Sequence, residues 1–456
     1  MRLSIPEVIR CTGGTLAGRD DTAVFTGVST DSRSISRGEL FVALTGERFD
    51  GHDFLGQAFA RGAAGAVVMR EGLTAPGPLV VVSDTLGALG DIAGLVRSRY
   101  DPAIAGITGS TGKTTTKELC ASILSLTGPC LKTEKNFNNL IGVPLSLLGL
   151  TGDHAFAAIE MGTNSPGEIA RLASLVRPRA SILTNICPVH LSGLGSISGI
   201  VREKQAIFEH TEPGGIAVLD PGQEHMDRVA VPGGLRRLTY SPGGRADVRL
   251  KKVLEQDLSG TGVLIDLAGR EVRTRVGLPG MHNVSNALAA AACALGLGID
   301  PEAVALGIAE ARFPGMRSEV LSTGRISVID DSYNANPASM KAALTLLSSS
   351  PHACRAAVLG DMLELGEESG HWHEEVGKWA ALSGIGMLVV TGEMARAMAK
   401  GALGTGMDPA RVHVARDIDD IIERLETLLD KDALVLVKAS RGLHLDEVVS
   451  RIKAVA

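Results

Sequence analysis

The sequence predicts an α/β protein of three domains. Three observations carry that expectation. The chain has 456 residues, which at roughly 150 residues per domain gives about three. From Pro102 onward, short apolar strands alternate with helical stretches, which implies a parallel sheet covered by helices on both faces. After Phe313-Pro314-Gly315 the alternation starts again, as expected of a second doubly wound unit.

The elements follow in order. Over the first 98 residues, apolar runs at 39–44, 64–69 and 78–82 lie between glycine-rich turns and read as a small α/β unit. Residues 103–107 form a strand, a glycine turn follows, and a helix begins near Lys113. Residues 155–160 and 180–184 are further strands, 283–297 is an alanine-rich helix, and Pro301 opens another. Beyond the junction, strands are expected near 326–329, 356–359, 387–390, 412–414 and 433–437. The predicted division is an N-terminal domain 1–98, a central P-loop parallel-sheet domain 99–313 and a C-terminal Rossmann-like domain 314–456.

Composition narrows the function. A net charge of −6 argues against nucleic-acid binding through a broad basic face. Hydrophobic residues at 45% and charged residues at 21% exclude bulk disorder. Glycine is in excess, 55 residues against a usual ~7% of the chain, which signals tight turns or backbone approaching a ligand. The six cysteines are scattered and form no CxxC pair, as expected of free thiols in a reducing compartment. The N-terminal MRLSIPEVIRCTGG lacks a basic region followed by an apolar run, and the apolar stretches are too short to cross a bilayer. A cytoplasmic protein without membrane insertion is expected. With no heptad region, a monomer is expected as well.

The strongest local signal is Gly106-Ile-Thr-Gly-Ser-Thr-Gly-Lys-Thr-Thr-Thr116 between strand and helix. Backbone N–H groups at a helix N-terminus face phosphates, and glycines let the backbone close in. Gly109, Ser110, Thr111, Gly112, Lys113, Thr114 and Thr115 are therefore nucleotide candidates. Lys113 would neutralise the β/γ-phosphates, and the Thr114 hydroxyl would hold Mg²⁺. Ile107 stands where the full GxxxxGK[ST] pattern has its first glycine. The motif points to ATP or GTP but not to a reaction.

Acidic and basic positions add chemistry. Glu160 ends a strand, where ligands sit in open parallel sheets; it reads as a Mg²⁺ ligand or as a cap on a neighbouring turn. His190 follows the next strand, and Lys204 alone reads as a solvated lysine on a helix. Asp330-Asp331 reads as a ribose- or metal-facing pair, or as the N-cap of the helix after Pro337. Arg317 reads as a surface arginine or as a phosphate contact across a cleft. His371 and His373, two apart on a helix, do not share a face and make no paired metal site.

Taken together, these motifs resemble the Mur ligases of peptidoglycan synthesis. The segments 109–116, 132–144, 158–162, 190–193 and 280–287 match that family in order, and its phosphate loop also lacks the first glycine. Three further stretches, 330–340, 360–366 followed by His373, and the pair 29–33 and 40–54, resemble the branch that adds D-alanyl-D-alanine. The Asp-Asn-Pro-Arg motif of the diamino-acid-adding branch is absent from the sequence. The resemblance implies an ATP- and Mg²⁺-dependent ligase joining D-alanyl-D-alanine to UDP-N-acetylmuramoyl-tripeptide through an acyl phosphate. It also implies residue roles. Lys113, Lys204, His190 and Arg317 are catalytic, and Thr114, Glu160, His190 and a carbamylated Lys204 hold metal. Asn283, Asn286, Arg317, Asp331 and Asn334 contact the nucleotide. Ser29, Thr30, Asp31, Thr45, Gly46, His52, Asn138, Asn139 and Asn336 bind substrate. The rival expectations are a sister ligase, folylpolyglutamate synthase, and a P-loop ATPase that makes no bond.

Overall fold

Runs of small and β-branched residues, four to six long, supply most strands, and the residues between them set which strands meet. The structure is a computed structural model and describes residues 1–17, 22–322, 326–428 and 432–455. At the N-terminal end lie β1 (Leu3–Ser4), β2 (Thr15–Ala17), β3 (Val24–Phe25), β4 (Gly27–Ser29), β5 (Glu39–Val42), β6 (Gly65–Val68) and β7 (Leu79–Val81). β1 pairs with β3, and the other five form a sheet in the order β2-β7-β6-β5-β4, parallel except where β2 meets β7. The helix Thr85–Ser98 follows, its first turn capped by Asp84, whose carboxylate accepts from the N–H groups of Leu86 and Gly87.

This sheet is not an isolated lobe. Val67, Val80, Leu89 and Ile92 share one buried cluster with Ile104, Ile159, Leu172 and Val176. Arg97, 2% exposed, threads that junction and donates from Nε to the Val176 carbonyl at 3.0 Å. Each buried aliphatic side chain there contributes ~1.5–3 kcal/mol.

The second sheet has nine strands: β8 (Ala103–Thr108), β9 (Cys130–Lys132), β10 (Phe156–Glu160), β11 (Ala180–Leu183), β12 (Ile216–Leu219), β13 (Arg236–Ser241), β14 (Val248–Asp257), β15 (Gly260–Leu267) and β16 (Arg270–Val276). Their order is β16-β15-β14-β13-β12-β11-β8-β10-β9. Pairing is parallel from β9 across to β14 and antiparallel through β14, β15 and β16. That antiparallel extension was not expected from the strand–helix alternation. The central β8 is flanked by β10 and β11, so the C-terminal ends of three strands open around one point. Beneath them the helices Lys113–Ser125 and Met281–Gly296 pack together through Leu119, Ile123, Ala287 and Ala291. The alanines keep that approach close.

The third sheet comprises β17 (Glu319–Ser322), β18 (Ile326–Asp330), β19 (Cys354–Leu359), β20 (Met387–Val390), β21 (Val412–Val414) and β22 (Ala433–Lys438). Its order is β17-β18-β22-β19-β20-β21, parallel except for β17. The chain order reverses beside β22, so β18 and β22 end together at a topological switch point facing the second sheet. Among the described residues no helix is long and apolar enough to cross a membrane.

Candidate active site

The segment between β8 and the helix Lys113–Ser125 is shaped by two glycines. Gly109 has φ 151° and Gly112 φ 77°, and a Cβ on either would overlap a neighbour, the Thr184 hydroxyl or the Asn286 amide oxygen. Both positions therefore need glycine for backbone conformation and for space. The loop is then pinned from the end of β11. The Asn185 side chain accepts from Thr111 N–H at 2.9 Å and donates to Thr111 Oγ1 at 2.6 Å, and Thr184 Oγ1 donates to the Thr111 carbonyl at 2.6 Å. Ser110 N–H donates to the Asn185 carbonyl, and Ser110 Oγ lies 3.0 Å from both the carbonyl and the N–H of Cys187.

Two ammonium groups converge on one carbonyl of this loop. Lys113 Nζ donates to Gly109 O at 2.9 Å and to Ser110 O at 3.3 Å, and Lys204 Nζ donates to Gly109 O at 3.0 Å. Lys204 is 1% exposed, which overturns its reading as a solvated helix-surface lysine. Burial, then repulsion by Lys113, pushes its amine down to about 7. Burial also lowers Lys113, with Arg317 adding to the shift and Glu160 opposing it.

Glu160 lies at the end of β10 and is 2% exposed. Its Oε2 accepts from Thr114 Oγ1 and its Oε1 from Asn138 Nδ2, each at 2.8 Å. A buried carboxylate and a hydroxyl side by side at a phosphate loop suit a hard cation completed by phosphate oxygens and water, which is how Mg²⁺ is usually held. Among the described residues no group of three or more His, Cys, Asp or Glu side chains is arranged to hold a metal by itself. His190 lines the same cavity but is hydrogen-bonded through Nδ1 to Glu364 of the C-terminal domain, not grouped with Glu160. That hydrogen bond holds the Glu364 carboxyl below its usual range.

The cavity holds about 1090 Å³ and lies between the second and third sheets, large enough for a nucleotide with part of a second ligand. The phosphate loop, Glu160, Asn138, Asn283 and Asn286 line one side. Arg317, Asp331, Asn334, Asn336 and Lys438 line the other. Arg317 stacks 4.0 Å above the Tyr333 ring, between Met316 and Ser318, both in left-handed backbone. Such backbone in non-glycine residues collects at functional sites. Asp331 accepts from Ser318 N–H at 3.0 Å and from the buried Lys438 Nζ at 2.6 Å. His282 faces this pair, and burial keeps its ring below the ordinary value.

Several expected residues carry local duties. Asn336 caps the helix Pro337–Ser349 by accepting from Ser339 N–H, so Asp330-Asp331 is not that cap; Asp330 instead accepts from Ser332. Asn139 Oδ1 accepts from Ile141 N–H and Gly142 N–H. What Asn139 and Asn336 still offer a ligand is the amide N–H. Asn283 donates to the Pro279 carbonyl at 2.8 Å and accepts from Asn286 at 3.3 Å, which fixes both amides beside the loop.

Ser29, Thr30, Asp31, Thr45, Gly46 and His52 do not line this cavity. Ser29, Thr30 and Asp31 lie at the C-terminal end of β4 and Thr45 and Gly46 just beyond β5, while His52 meets Met69 just past β6. Asp31 is paired with Arg33 at 2.8 Å, which holds its carboxyl down to about 2. His52 is enclosed, with Nδ1 2.5 Å from Asp50 and Nε2 accepting from Met69 N–H at 2.9 Å, so it shapes the loop from within. His373 is likewise buried, accepting from Met362 N–H and hydrogen-bonded to Ser369 O.

Asn185, Lys438 and the role of Glu364 do not stand out in the sequence. Asn185 and Lys438 stand at or just after strand C-termini, the same signal that flagged Glu160.

Family models match in three consecutive blocks. The Mur ligase family catalytic domain covers residues 24–95, the Mur ligase middle domain 107–294, and the Mur ligase glutamate ligase domain 316–441. The UDP-N-acetylmuramoyl-tripeptide–D-alanyl-D-alanine ligase of Escherichia coli (strain K12) is 37% identical, covering 99% of this chain and 98% of its own. That of Bacillus subtilis (strain 168) is 35% identical, covering 98% of both chains. Among solved structures, MurF from Acinetobacter baumannii superposes with a TM-score of 0.92 at 30% identity over 100% of this chain and 99% of that one. The MurF ligase of Thermotoga maritima in complex with ADP gives 0.84 at 26% identity, over 94% of this chain and 97% of that one. With matches of this length and order, the chain belongs to the Mur ligase family.

Proposed function

We propose that the chain is an ATP-dependent ligase that joins D-alanyl-D-alanine to UDP-N-acetylmuramoyl-tripeptide, releasing ADP and phosphate. The observation that carries the reading is the one cavity into which the phosphate loop and Arg317 both open, in a chain matched over nearly its whole length by UDP-N-acetylmuramoyl-tripeptide–D-alanyl-D-alanine ligases. The ADP held by the T. maritima relative supports ATP as the nucleotide.

The chemistry follows from charge. A peptide carboxylate is a poor electrophile, and ATP converts it to an acyl phosphate with a good leaving group. The dipeptide amine attacks, a tetrahedral intermediate forms, and phosphate departs. Carboxylate and triphosphate must meet, so Lys113 and Arg317 supply opposing charge from the two sides of the cavity. Asn185 and Thr184 fix the loop backbone at Ser110 and Thr111. Thr114 and Glu160 would hold Mg²⁺, with His190 and a carbamylated Lys204 as further ligands. The ion's chemistry there is neutralisation of phosphate charge. A Lys204 amine that is neutral near pH 7 is the form that can add CO₂. Asn283, Asn286, Asp331 and Asn334 place the nucleotide, and Asn138, Asn139 and Asn336 face the acceptor and the amine. The residues at the ends of β4 and β5 hold the UDP end. The domains divide at 98 and 313, and closure of the third on the second keeps water from the acyl phosphate. The enzyme acts in the cytoplasm as a monomer.

The test is phosphate release with each substrate left out in turn. The ligase reading expects release to require the UDP-linked peptide; steady ATP hydrolysis without it would instead establish the bond-free ATPase.

A further inference from the structure

The His190–Glu364 contact joins two domains, and the reaction scheme above gives Glu364 no role. His190 follows β11 in the second sheet and heads the short helix Leu191–Leu194. Glu364 lies in the segment Gly360-Asp-Met-Leu-Glu-Leu-Gly366 that follows β19 of the third sheet. Both side chains border the same cavity. Both residues are in left-handed backbone, His190 at φ 51° and Glu364 at φ 67°. Two strained non-glycine residues meeting across a domain boundary suggest a geometry held for a purpose. The contact is doubled by backbone, since Ser192 N–H donates to the Glu364 carbonyl at 3.4 Å. Gly366 follows closely enough that a Cβ on it would lie 3.6 Å from Ser192 N.

We propose that Glu364 is a positioning residue that reports docking of the C-terminal domain to His190 and selects the ring tautomer able to bind a divalent cation. A carboxylate can only accept. With Glu364 on Nδ1, the ring proton sits on Nδ1 and the lone pair is left on Nε2. A histidine that ligates metal through one nitrogen while the other donates to a carboxylate is better oriented and more basic. His190 and its carboxylate partner follow strands of different sheets. The carboxylate comes from the domain that also brings Arg317 and Lys438. Docking of that domain and readiness of His190 therefore become one event. A divalent cation would be held tightly only when the arginine that must face the phosphate is also in place.

The inference rests on the assignment of His190 to the metal, so its test needs a readout that exists without metal or turnover. Long-range proton–nitrogen correlation of ring-labelled histidines reports the tautomer in the metal-free chain, with His190→Gln used for assignment. Wild type is expected to show His190 as the Nδ1–H form. Glu364→Ala should release it toward the Nε2–H form, whereas Glu364→Gln, whose amide can accept or donate, should leave a mixture of the two. In product formation, Glu364→Ala should raise the Mg²⁺ concentration at half-maximal rate about tenfold, with KM for the UDP-linked substrate unchanged and Glu364→Gln in between. An unchanged tautomer in Glu364→Ala overturns the proposal. So does a shifted tautomer with an unchanged Mg²⁺ requirement. Failure of the ligase reading itself would look different, as absence of product in wild type.

Discussion

Replacing Lys204 by methionine should make the protein more stable and nearly inactive. Lys204 sits in the helix Ile197–Glu209, is 1% exposed, and makes one hydrogen bond, to Gly109 O. Its amine moves from an ordinary 10.5 to about 7 because burial and Lys113 oppose the charge. A shift of that size corresponds to ~5 kcal/mol of native-state penalty when the amine is charged in both states. Methionine matches the lysine stem, keeps helix propensity, and leaves Gly109 O still accepting from Lys113. Against the relief stands one lost hydrogen bond, about 1 kcal/mol. The expected net gain at about pH 6 is therefore roughly 2–4 kcal/mol. The sign follows from the depressed pKa of a cation. The penalty is complete below the folded value of about 7, shrinks as pH rises toward 10.5, and vanishes above it. Urea unfolding in CO₂-depleted buffer, at about pH 6 and about pH 10, measures it. A destabilised variant at the lower pH, or the same difference at both, would refute the reasoning.

Other substitutions separate the loop's functions. Lys113→Ala should cut coupling roughly 10²–10³-fold while circular dichroism stays close to wild type and the unfolding midpoint does not fall, since burial already opposes its charge and its present bonds are to loop carbonyls. Asn185→Ala removes three hydrogen bonds to Thr111, one of them long at 3.4 Å, about 2 kcal/mol or roughly 30-fold in KM for ATP, read in steady-state kinetics. Gly112→Ala forces a side chain into left-handed backbone beside Asn286 at ~1–2 kcal/mol, so ATP affinity by calorimetry and the unfolding midpoint should both fall. If Lys204 is carbamylated, Lys204→Ala should regain activity when short carboxylic acids are added; full activity without any additive would exclude an essential role.

Where the sequence carried a strong period or a dense motif, the structure follows it closely. The strand ending at Thr108, the helix opening at Lys113 and the β/α alternation after Phe313 are set by local apolar runs and glycine turns that leave little choice. The β14–β16 ribbon was not legible because β14 buries almost nothing: Val-Arg-Leu-Lys-Lys-Val-Leu-Glu-Gln-Asp is largely exposed beyond its first residues, so no apolar face alternates. It is held by pairing, by the buried face of β15 and β16 (Val263, Ile265, Leu267, Val272 and Val276), and at its rim by cross-strand ions such as Arg275 with Glu255 and Asp257, all of which depend on a register the sequence does not display. Within the site, Lys113, Thr114 and Glu160 were visible because motif and strand end coincide. Lys204 looked like any helix lysine, since its burial depends on a loop 95 residues away. Asn185 and Lys438 belong to no spacing pattern, and only the strand-terminus rule, applied to every strand, would have found them. Glu364 acquires meaning from a domain contact alone.

Identifying the product decides whether the chain joins D-alanyl-D-alanine to the UDP-linked tripeptide. Purified protein would be incubated with ATP, Mg²⁺, UDP-N-acetylmuramoyl-tripeptide and D-alanyl-D-alanine, alongside reactions offering single amino acids or a diamino acid as the amine, and each mixture resolved by mass spectrometry. A new species heavier by one D-alanyl-D-alanine less one water is expected, formed with an equal amount of ADP and phosphate and absent with the other amines. A product carrying another amine in preference to the dipeptide, or phosphate release with no UDP-linked product at all, would contradict that expectation.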